Sequence, residues 1–283
     1  MSFTIHLLRE ADIDATDEVI VAAYNLSSGR KDTLRQYLTL QPDGAFIVKD
    51  DTTIVGFGAA LDYGPFAYIG MMTVQPTLQK RGIGRLLMDY ILAWLEERGC
   101  QTVLLDANNA GEPLYVQYGF VEDDRTLDIL QTERLALVNN YSEHISTLRD
   151  EDFVALATFD ATHFGASREA LLAIYCADNP HRVFVAHNTY GEITGYVIAQ
   201  TNVIGPWVAR TIEDAEQLLR QALALSYAAQ PRVFVSAQNE NALQLLKRYG
   251  FSQTRSLSHM RKGLFIERSR PTTLYGQVSL GLG

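Results

Sequence analysis

The sequence predicts an α/β (α+β) fold in which two similar domains follow one another along the chain. Apolar runs with the spacing of strands alternate with helical patterns, as expected for sheets covered by helices. The same order of patterns recurs later in the chain, where Leu219 matches Leu87 and Phe251 matches Phe120. The 283 residues suffice for two domains of roughly 100–200 residues each. We therefore expect a first domain at residues 1–133 and a second at 134–283.

The patterns of the first half lead up to one long amphipathic helix and continue beyond it. In order, we predict a strand at 4–8, helices at 14–24 and 31–40, a hairpin at 45–49 and 53–61, a strand at 67–74, a helix to about 98, and strands at 102–107 and 120–129. Pro76 ends the strand at 67–74, because proline cannot donate a hydrogen bond to a sheet. The long helix carries Leu87, Ile91 and Leu95 on one face, which indicates that this face is buried.

The second half repeats this order after a polar connection. We predict a hairpin at 183–186 and 193–200, a helix at 214–228, a strand at 232–237, and a short helix that leads to Phe251. The stretch 131–149 suits a linker, although its apolar residues indicate partial packing. The tail 263–283 is expected either to add a strand or to lie loose.

Composition excludes several classes of protein. A formal net charge of −9 and an isoelectric point near 5.2 argue against a general nucleic-acid binder, which would show a basic excess. Cys100 and Cys176 are far apart and have no metal-ligand spacing, so we expect packed thiols and neither a disulfide framework nor a metal site. The sequence lacks a signal-peptide pattern and a long apolar run, so we expect no membrane association and a cytoplasmic protein.

A glycine turn with basic residues lies between the strand at 67–74 and the long helix. The turn reads Gln79-Lys80-Arg81-Gly82-Ile83-Gly84, and Arg85 follows it. Glycine leaves the main chain open to a ligand, and the free N–H groups at a helix start favour an anion. The spacing is neither GxxxxGK[ST] nor GxGxxG, which argues against an NTPase and against a Rossmann dinucleotide site. The pattern therefore predicts a pyrophosphate cradle of another type.

A second motif follows about 25–30 residues after the glycine turn and identifies the family. It comprises Asn108, Leu114, Tyr115, Gly119 and Phe120 in the pattern N-x-x-A-x-x-L-Y-x-x-x-G-F, with a glycine in the place of the usual alanine. The two motifs in this order resemble those of the GCN5-related N-acetyltransferases, the GNAT superfamily. The resemblance implies two tandem GNAT domains, each with a mixed, mostly antiparallel sheet flanked by helices.

The second copy resembles the first in architecture but lacks its glycine turn and the tyrosine of its second motif. The segment before its helix has no glycine turn, and Glu213 and Asp214 at the helix start would repel a phosphate. Leu246 stands where Tyr115 stands in the first copy. The second half therefore resembles the degenerate C-terminal domain of two-domain bacterial GNAT proteins of the YitH/HolE type. We expect it to shape the acceptor site or to serve as a scaffold.

The resemblance assigns cofactor-binding roles to the first half. In GNAT proteins the strand before the glycine turn separates from its neighbour and holds the pantetheine arm of acetyl-CoA, which implies Met72, Thr73 and Val74 here. The amides of the turn, together with Arg81 and Arg85, would bind the pyrophosphate. Asn108 of the second motif is counted with the cofactor-binding residues. No metal is implied.

The resemblance also implies that Tyr115 is the general acid that protonates the departing thiolate. The resemblance does not identify a general base, because Tyr68 stands where some GNAT enzymes carry a glutamate. A tyrosine with a pKa near ~10 is a poor base at neutral pH. We therefore expect a water relay that touches Tyr68, Asp62 or Asp106, or an acceptor amine that arrives already neutral.

Four further residues are candidates for contact with the acceptor. Asp62 either lies near the acceptor or is merely a polar loop residue. Asp160 and His163 either line a cleft between the domains or lie at a solvated helix end. Trp207 forms a wall of that cleft or fills the core.

The sequence thus predicts an N-acetyltransferase that moves acetyl from acetyl-CoA to a primary amine of a small molecule, or less readily of a protein, by direct attack. We expect a monomer or homodimer. The rival hypothesis is a non-catalytic module that binds or senses acyl-CoA. A GNAT protein that uses aminoacyl-tRNA would lack the cofactor turn and carry a basic groove, and neither feature fits. A role in thiol biosynthesis stays open, since tandem acetyltransferases of that kind share the layout.

Overall fold

A computed structural model of the protein describes residues 3–135 and 144–283. The strands and helices of the first half are β1 (Phe3–Leu7), α1 (Ile13–Tyr24), α2 (Lys31–Leu40), β2 (Ala45–Asp50), β3 (Thr53–Asp62), β4 (Ala67–Val74), α3 (Ile83–Glu97), β5 (Thr102–Ala107), α4 (Glu112–Gln117) and β6 (Val121–Gln131). Those of the second half are β7 (Ile145–Thr147), α5 (Phe153–Phe164), α6 (Glu169–Asp178), β8 (Val183–His187), β9 (Ile193–Ala199), β10 (Ile204–Ala209), α7 (Ile212–Leu223), β11 (Arg232–Ser236), α8 (Glu240–Arg248), β12 (Phe251–Gly263) and β13 (Leu274–Gly276). The predicted α/β class, with helices on mostly antiparallel sheets, is confirmed.

The long helix α3 forms as its pattern predicts. Leu87, Ile91 and Leu95 are buried against the sheet, and the helix ends before Gly99, whose φ of +74° suits a residue without a Cβ. Helix α7, in contrast, stops at Leu223 instead of about residue 228. Tertiary contacts of Arg182 explain the difference, because its guanidinium donates to the Ser226 carbonyl at 3.2 Å and lies over the Tyr227 ring. The Tyr227 hydroxyl also donates locally to the Ala222 carbonyl at 2.9 Å.

The strands of the described residues form two sheets. The first has eight strands in the order β1-β2-β3-β4-β5-β12-β6-β11, and the second has five in the order β13-β10-β9-β8-β7. Within the described residues, all pairs between these strands are antiparallel except β4 with β5. Parallel neighbours need a crossover connection, and α3 supplies it between β4 and β5.

The two halves exchange strands. Strand β12, from the end of the second half, pairs with β5 on one side and with β6 on the other. Strand β6, from the end of the first half, also pairs with β11. Each half therefore completes the sheet of the other, so the two predicted domains share main-chain hydrogen bonds.

The apolar cores also join the halves. One core cluster combines Leu34 and Tyr37 of α2 with Leu171 and Tyr175 of α6. The segment after β13 runs into the same cluster, with Val278 and Leu282 buried in it. Of the two alternatives for the tail, the structure shows a short strand followed by a buried segment. The linker at 131–149 lies partly outside the described residues, and the domain boundary between 133 and 134 stays a prediction.

Candidate active site

The parallel strands β4 and β5 separate at their carboxyl ends. Their pairing starts at Ala67 with Val103 and stops at Ile69 with Leu105. Just beyond, Met71 has a φ of +58°, and the register of β4 against β3 shifts. A β-bulge of this kind bends the strand and re-aims its main chain. An opening therefore forms between the two strands beyond Ile69.

The predicted pantetheine strand forms one wall of this opening. The Met72 carbonyl accepts a hydrogen bond from the Tyr24 hydroxyl at 3.1 Å, and the Val74 carbonyl accepts one from the Gln79 side chain at 3.4 Å. Both carbonyls thus accept hydrogen bonds from side chains. The side chain of Thr73, in contrast, is buried and donates to the Phe57 carbonyl of β3. The main chain of Met72 and Val74 is therefore directed at the opening.

The glycine turn lies at the end of the same wall. Gly82 has a φ of +88° and precedes the first residue of α3, and Lys80 also adopts a positive φ of 62°. The first hydrogen bond within the helix runs from the Leu86 amide to the Gly82 carbonyl at 2.9 Å. The amides of Ile83, Gly84 and Arg85 belong to the first turn, which supplies no acceptor of its own for them.

The surroundings of these amides suit an anion. The first turn of α3 contains no acidic residue, and Gln79, Lys80, Arg81 and Arg85 are exposed around it. A Cβ on Gly82 would meet nothing within 4 Å, so the approach to the turn is open. An open set of N–H donors with cations beside it fits a diphosphate group.

The equivalent helix of the second half does not fit a diphosphate. The Thr211 hydroxyl already accepts the Asp214 amide at 3.1 Å, which caps the helix with its own side chain. Glu213 and Asp214 add negative charge to the first turn. The difference predicted between the two helix starts is therefore present in the structure.

Tyr115 of α4 lies on the α3 side of the sheet. Its side chain is 8% exposed, its ring packs against Phe120, and no hydrogen bond to its hydroxyl occurs within the described residues. Burial, with the nearby Tyr24 as a smaller cause, raises the pKa of Tyr115, so that its hydroxyl keeps its proton at neutral pH. Asn108 holds the turn before α4 through a 2.8 Å bond from the Gly111 amide. A protonated hydroxyl at this position can serve as an acid.

Tyr24 is a site residue that the sequence did not reveal. Tyr24 is the last residue of α1, and its hydroxyl donates to the carbonyl of Met72, which lies 48 positions later in the sequence. Burial of its hydroxyl raises the pKa of Tyr24 to about 12, so it too remains a donor. No motif marks it, because only the packing of α1 on β4 brings it to the opening.

A buried polar network lies on the other side of the sheet. The Tyr68 hydroxyl donates to Asp106 Oδ2 at 2.6 Å, while the Thr126 hydroxyl and His259 Nδ1 contact Asp106 Oδ1 at 2.7 and 2.9 Å. Burial opposes the charge of Asp106, but the contact with His259, the nearby Arg270 and the Tyr68 hydrogen bond outweigh it and lower the pKa of Asp106 to about 2. Asp106 is therefore an ionised centre of the network.

His259 is the second residue that the sequence did not reveal. Burial and the nearby Arg270 lower its pKa, so the ring is neutral at pH 7 and Nδ1–H is the donor to Asp106. No hydrogen bond to Nε2 occurs within the described residues. Its Cα is paired with that of Asp106 across the exchanged strand β12. Sequence spacing gives no hint of this pairing, since 153 positions separate the two residues.

Asp62 and Trp207, two of the candidates for contact with the acceptor, make contacts that support the fold. Asp62 accepts a hydrogen bond from the Gly64 amide at 2.9 Å and one from Arg98 at 3.2 Å, which fixes the turn after β3. Trp207 is fully buried in the core of the second half and packs against Tyr275. Of the two alternatives for Trp207, the structure thus shows the core position.

Asp160 and His163 are both on α5, but the structure does not place them at a solvated helix end. Asp160 is fully buried and binds Arg168 through both carboxylate oxygens, at 2.8 and 2.9 Å. His163 contacts the Thr273 hydroxyl at 2.9 Å, and burial lowers its pKa. Asp160 lies where the halves meet, because Arg168 also stacks on Phe164, which packs against Phe66 of the first half.

Comparisons with known proteins agree with this architecture. Residues 10–120 match the model of the acetyltransferase (GNAT) family, and residues 156–276 match that of an acetyltransferase (GNAT) domain. The chain therefore belongs to the GNAT superfamily and carries two GNAT domains in tandem. Membership of this family supports acyl transfer in general.

Three relatives resemble the chain over most of its length. The uncharacterized N-acetyltransferase YitH of Bacillus subtilis (strain 168) is 23% identical over 228 residues, which cover 78% of each chain. A crystal structure from Pyrococcus horikoshii, assigned as an acetyltransferase, is 28% identical with a TM-score of 0.88 and covers 99% of this chain and 96% of its own. A GCN5-related N-acetyltransferase from Sphaerobacter thermophilus shares the fold, with 18% identity, a TM-score of 0.71 and coverage of 96% and 98%. The predicted resemblance to YitH-type tandem proteins is confirmed.

Within residues 3–135 and 144–283, none of the helices combines the length and the hydropathy that crossing a bilayer requires.

Proposed function

We propose that this protein transfers the acetyl group of acetyl-CoA to a primary amine of a small molecule, by direct attack within a ternary complex. The observation that carries the proposal is the opening between β4 and β5, which ends at the glycine turn of α3. It offers main-chain groups along one wall and free helix amides at one end. This arrangement suits a long, flexible thioester carrier with a diphosphate.

The residues that would hold acetyl-CoA follow from this geometry. The main chain of Met72 and Val74 would bind the pantetheine arm, with Thr73 fixing the strand between them. The amides from Gln79 to Arg85 and the cations of Lys80, Arg81 and Arg85 would bind the diphosphate. When bound, acetyl-CoA supplies a thioester carbonyl that an amine can attack.

Tyr115 is the general acid in this proposal. Its hydroxyl remains protonated at neutral pH because burial raises its pKa, and it has a proton to give to a thiolate as the thiolate leaves. Tyr24 holds the Met72 carbonyl and so keeps the bulged part of β4 in place. A packed ring on a short helix gives Tyr115 little freedom, which fixes the direction of its hydroxyl.

An ammonium must lose a proton before its nitrogen can attack as an amine, and this proton needs an acceptor. Burial raises the pKa of Tyr68 well above its usual value, so Tyr68 is a hydrogen-bond donor to Asp106 and not a base. Neutral His259, held by ionised Asp106, can take a proton through water, and Asp106 then balances the imidazolium. In this relay the second domain contributes a side chain to the chemistry of the first.

A single pair of variants tests the proposal. Acetyl-CoA binding is measured by titration calorimetry, and CoA release is followed with a panel of primary amines, for the wild type and for Tyr115→Phe. We expect binding to be kept and kcat to fall by about 10²-fold or more, as for loss of a general acid. Tyr118→Phe is the matched control, because Tyr118 lies on the same turn and its hydroxyl donates to Asp89 at 2.6 Å.

The outcomes separate the two hypotheses. Tight binding without turnover for any amine would favour the non-catalytic acyl-CoA module. Wild-type protein that fails to bind acetyl-CoA would contradict both.

A further inference from the structure

Residues 277–283 form a small loop that is buried between the two domains. The Gln277 amide donates to the Phe234 carbonyl at 2.8 Å, and the Val278 amide donates to the Gly283 oxygen at 3.2 Å, which closes the loop. The side chains of Val278 and Leu282 are 0% and 1% exposed. A loop this short and this buried needs partners for its own main-chain oxygens.

Three side chains from elsewhere in the chain supply those partners. The Tyr37 hydroxyl donates to the Gly281 carbonyl at 2.8 Å, the Tyr63 hydroxyl to the Leu282 carbonyl at 2.7 Å, and Arg168 Nη1 to the Gly283 oxygen at 3.1 Å. Three consecutive main-chain oxygens thus each accept a hydrogen bond from a side chain, and the Gly283 oxygen also accepts the Val278 amide. Two of these side-chain donors belong to the first domain and one belongs to the second, so both domains hold the loop in place.

The loop lies against the opening between β4 and β5. Gly70, the first residue after the last β4–β5 pair, is so close to the loop that a Cβ on it would come within 2.5 Å of the Gly281 carbonyl oxygen. A Cβ on Gly283 would come within 3.1 Å of the Tyr68 ring. The loop therefore covers β4 on the face opposite to α3, directly beside the bulge at Met71.

We infer that residues 278–283 form the inner wall of the acceptor space and restrict the acceptors to small amines. The inference rests on the proposed function, because it assumes that the thioester lies in the opening. A peptide acceptor that packed on this face of β4 would need roughly the 10 Å that separates β layers stacked face to face. The loop already takes that room at Gly70. A small amine does not need that room.

Two full-length variants loosen the loop without touching the groups proposed to bind acetyl-CoA. Leu282→Glu places a charge at a fully buried position, which is costly enough to displace the loop. Leu264→Glu is its matched control, because Leu264 is 61% exposed. The double variant Tyr37→Phe and Tyr63→Phe keeps both rings and removes only the two hydroxyl donors, in case Leu282→Glu does not fold.

Hydrogen exchange reports on the loop, and kinetics report on the acceptor. We expect exchange of the amides at 278–283 to rise in Leu282→Glu and in the double variant, with acetyl-CoA binding retained. The kcat/KM for a hexapeptide with a free α-amino group should then rise about tenfold or more relative to that for small primary amines. Leu264→Glu should behave as the wild type.

Three results would overturn the inference while leaving the proposed function intact. The first is an unchanged ratio of kcat/KM values despite faster exchange in the loop. The second is wild-type exchange rates at 278–283 in both variants, which would show that these contacts do not hold the loop. The third is a wild-type enzyme that already uses the hexapeptide as well as small amines. A wild type that does not bind acetyl-CoA would instead refute the proposed function itself.

Discussion

The buried charges of Asp160 and Arg168 are paired with each other. Asp160 and Arg168 are 0% and 1% exposed at their side chains and form a two-point ion pair. The Tyr196 hydroxyl adds a further donor to Asp160. Arg168 in turn holds the Gly283 oxygen, so the pair supports the loop at 278–283.

Removing one partner of this pair should be costly. We expect Asp160→Asn to lower the free energy of unfolding by about 3–5 kcal/mol, because it leaves Arg168 buried without a counter-charge. Denaturant titration followed by circular dichroism measures the change. Glu151→Ala is the control, since its ion pair with Arg149 is 69% and 65% exposed and should be worth at most about 1 kcal/mol. Similar losses in both variants would contradict the prediction.

A second residue-level prediction concerns pH. The folded state lowers the pKa of His259 from its usual 6.5, through burial and the charges of Arg270 and Arg268, against the opposing effect of Asp106. The unfolded chain therefore binds this proton more readily, and the stability from neutral His259 is complete above pH 6.5 and is lost as the pH falls below it. The slope for one proton is at most about 1.4 kcal/mol per pH unit.

His259→Gln, which keeps a donor for Asp106, should make unfolding free energy less dependent on pH between about 6.5 and 5. Burial also lowers the pKa of His163, so part of the slope remains in the variant. His181→Gln, at an exposed position, is the control and should keep the wild-type slope. An identical slope for His259→Gln and the wild type would show that His259 does not titrate differently in the folded state.

At the scale of elements, the starts of α3 and α7 show how two copies of one helix diverge. α3 begins at Gly82 with open amides and no acid in its first turn. α7 begins at Thr211, which caps it, with Glu213 and Asp214 in its first turn. Because the amides of a helix start favour anions only when side chains leave them free, the start of α3 suits an anion and the start of α7 does not.

This contrast predicts one acetyl-CoA site per chain. Gly84→Glu puts a negative charge into the first turn of α3 and should raise the Kd for acetyl-CoA at least about tenfold, or 1.4 kcal/mol. Glu213→Gln at the start of α7 should leave the Kd unchanged. Titration calorimetry gives both the Kd and the stoichiometry. Two bound molecules per chain, or an unaffected Gly84→Glu variant, would contradict the assignment.

For the whole molecule, the exchange of β6 and β12 ties folding of one domain to the other. Strand β12 fills the position between β5 and β6, and β6 in turn carries β11. Neither half can complete its sheet alone, and the strand edges that it would leave unpaired would promote aggregation. The two halves are therefore joined by main-chain hydrogen bonds within one sheet.

Separate halves should consequently fail to fold. We expect residues 1–133 expressed alone to be aggregated or unfolded by sedimentation and circular dichroism, and co-expression with residues 134–283 to restore a soluble complex. The full chain should unfold in a single transition with coincident probes. A monomeric, folded fragment 1–133 that binds acetyl-CoA would contradict the prediction.

The sequence predicted well whatever depends on neighbours along the chain. Strand β4, helix α3 and the turn at Gly82 follow from an apolar run, a helical period and a pair of glycines, which are local properties. The length of α7 was the exception, because Arg182 contacts Ser226 and Tyr227 just beyond the helix, and no local pattern contains these contacts. The position of Tyr115 within its motif was equally local.

By itself the sequence determined the family, the duplication and the glycine turn at the start of α3, because these follow from the order and spacing of residues. Only the tertiary structure decided that β12 crosses into the first sheet, that His259 meets Asp106, and that the loop at 278–283 lies against Gly70. The physical reason is that contacts between distant segments are selected by burial and by hydrogen-bond satisfaction in the folded chain. Such contacts leave no periodicity in the sequence.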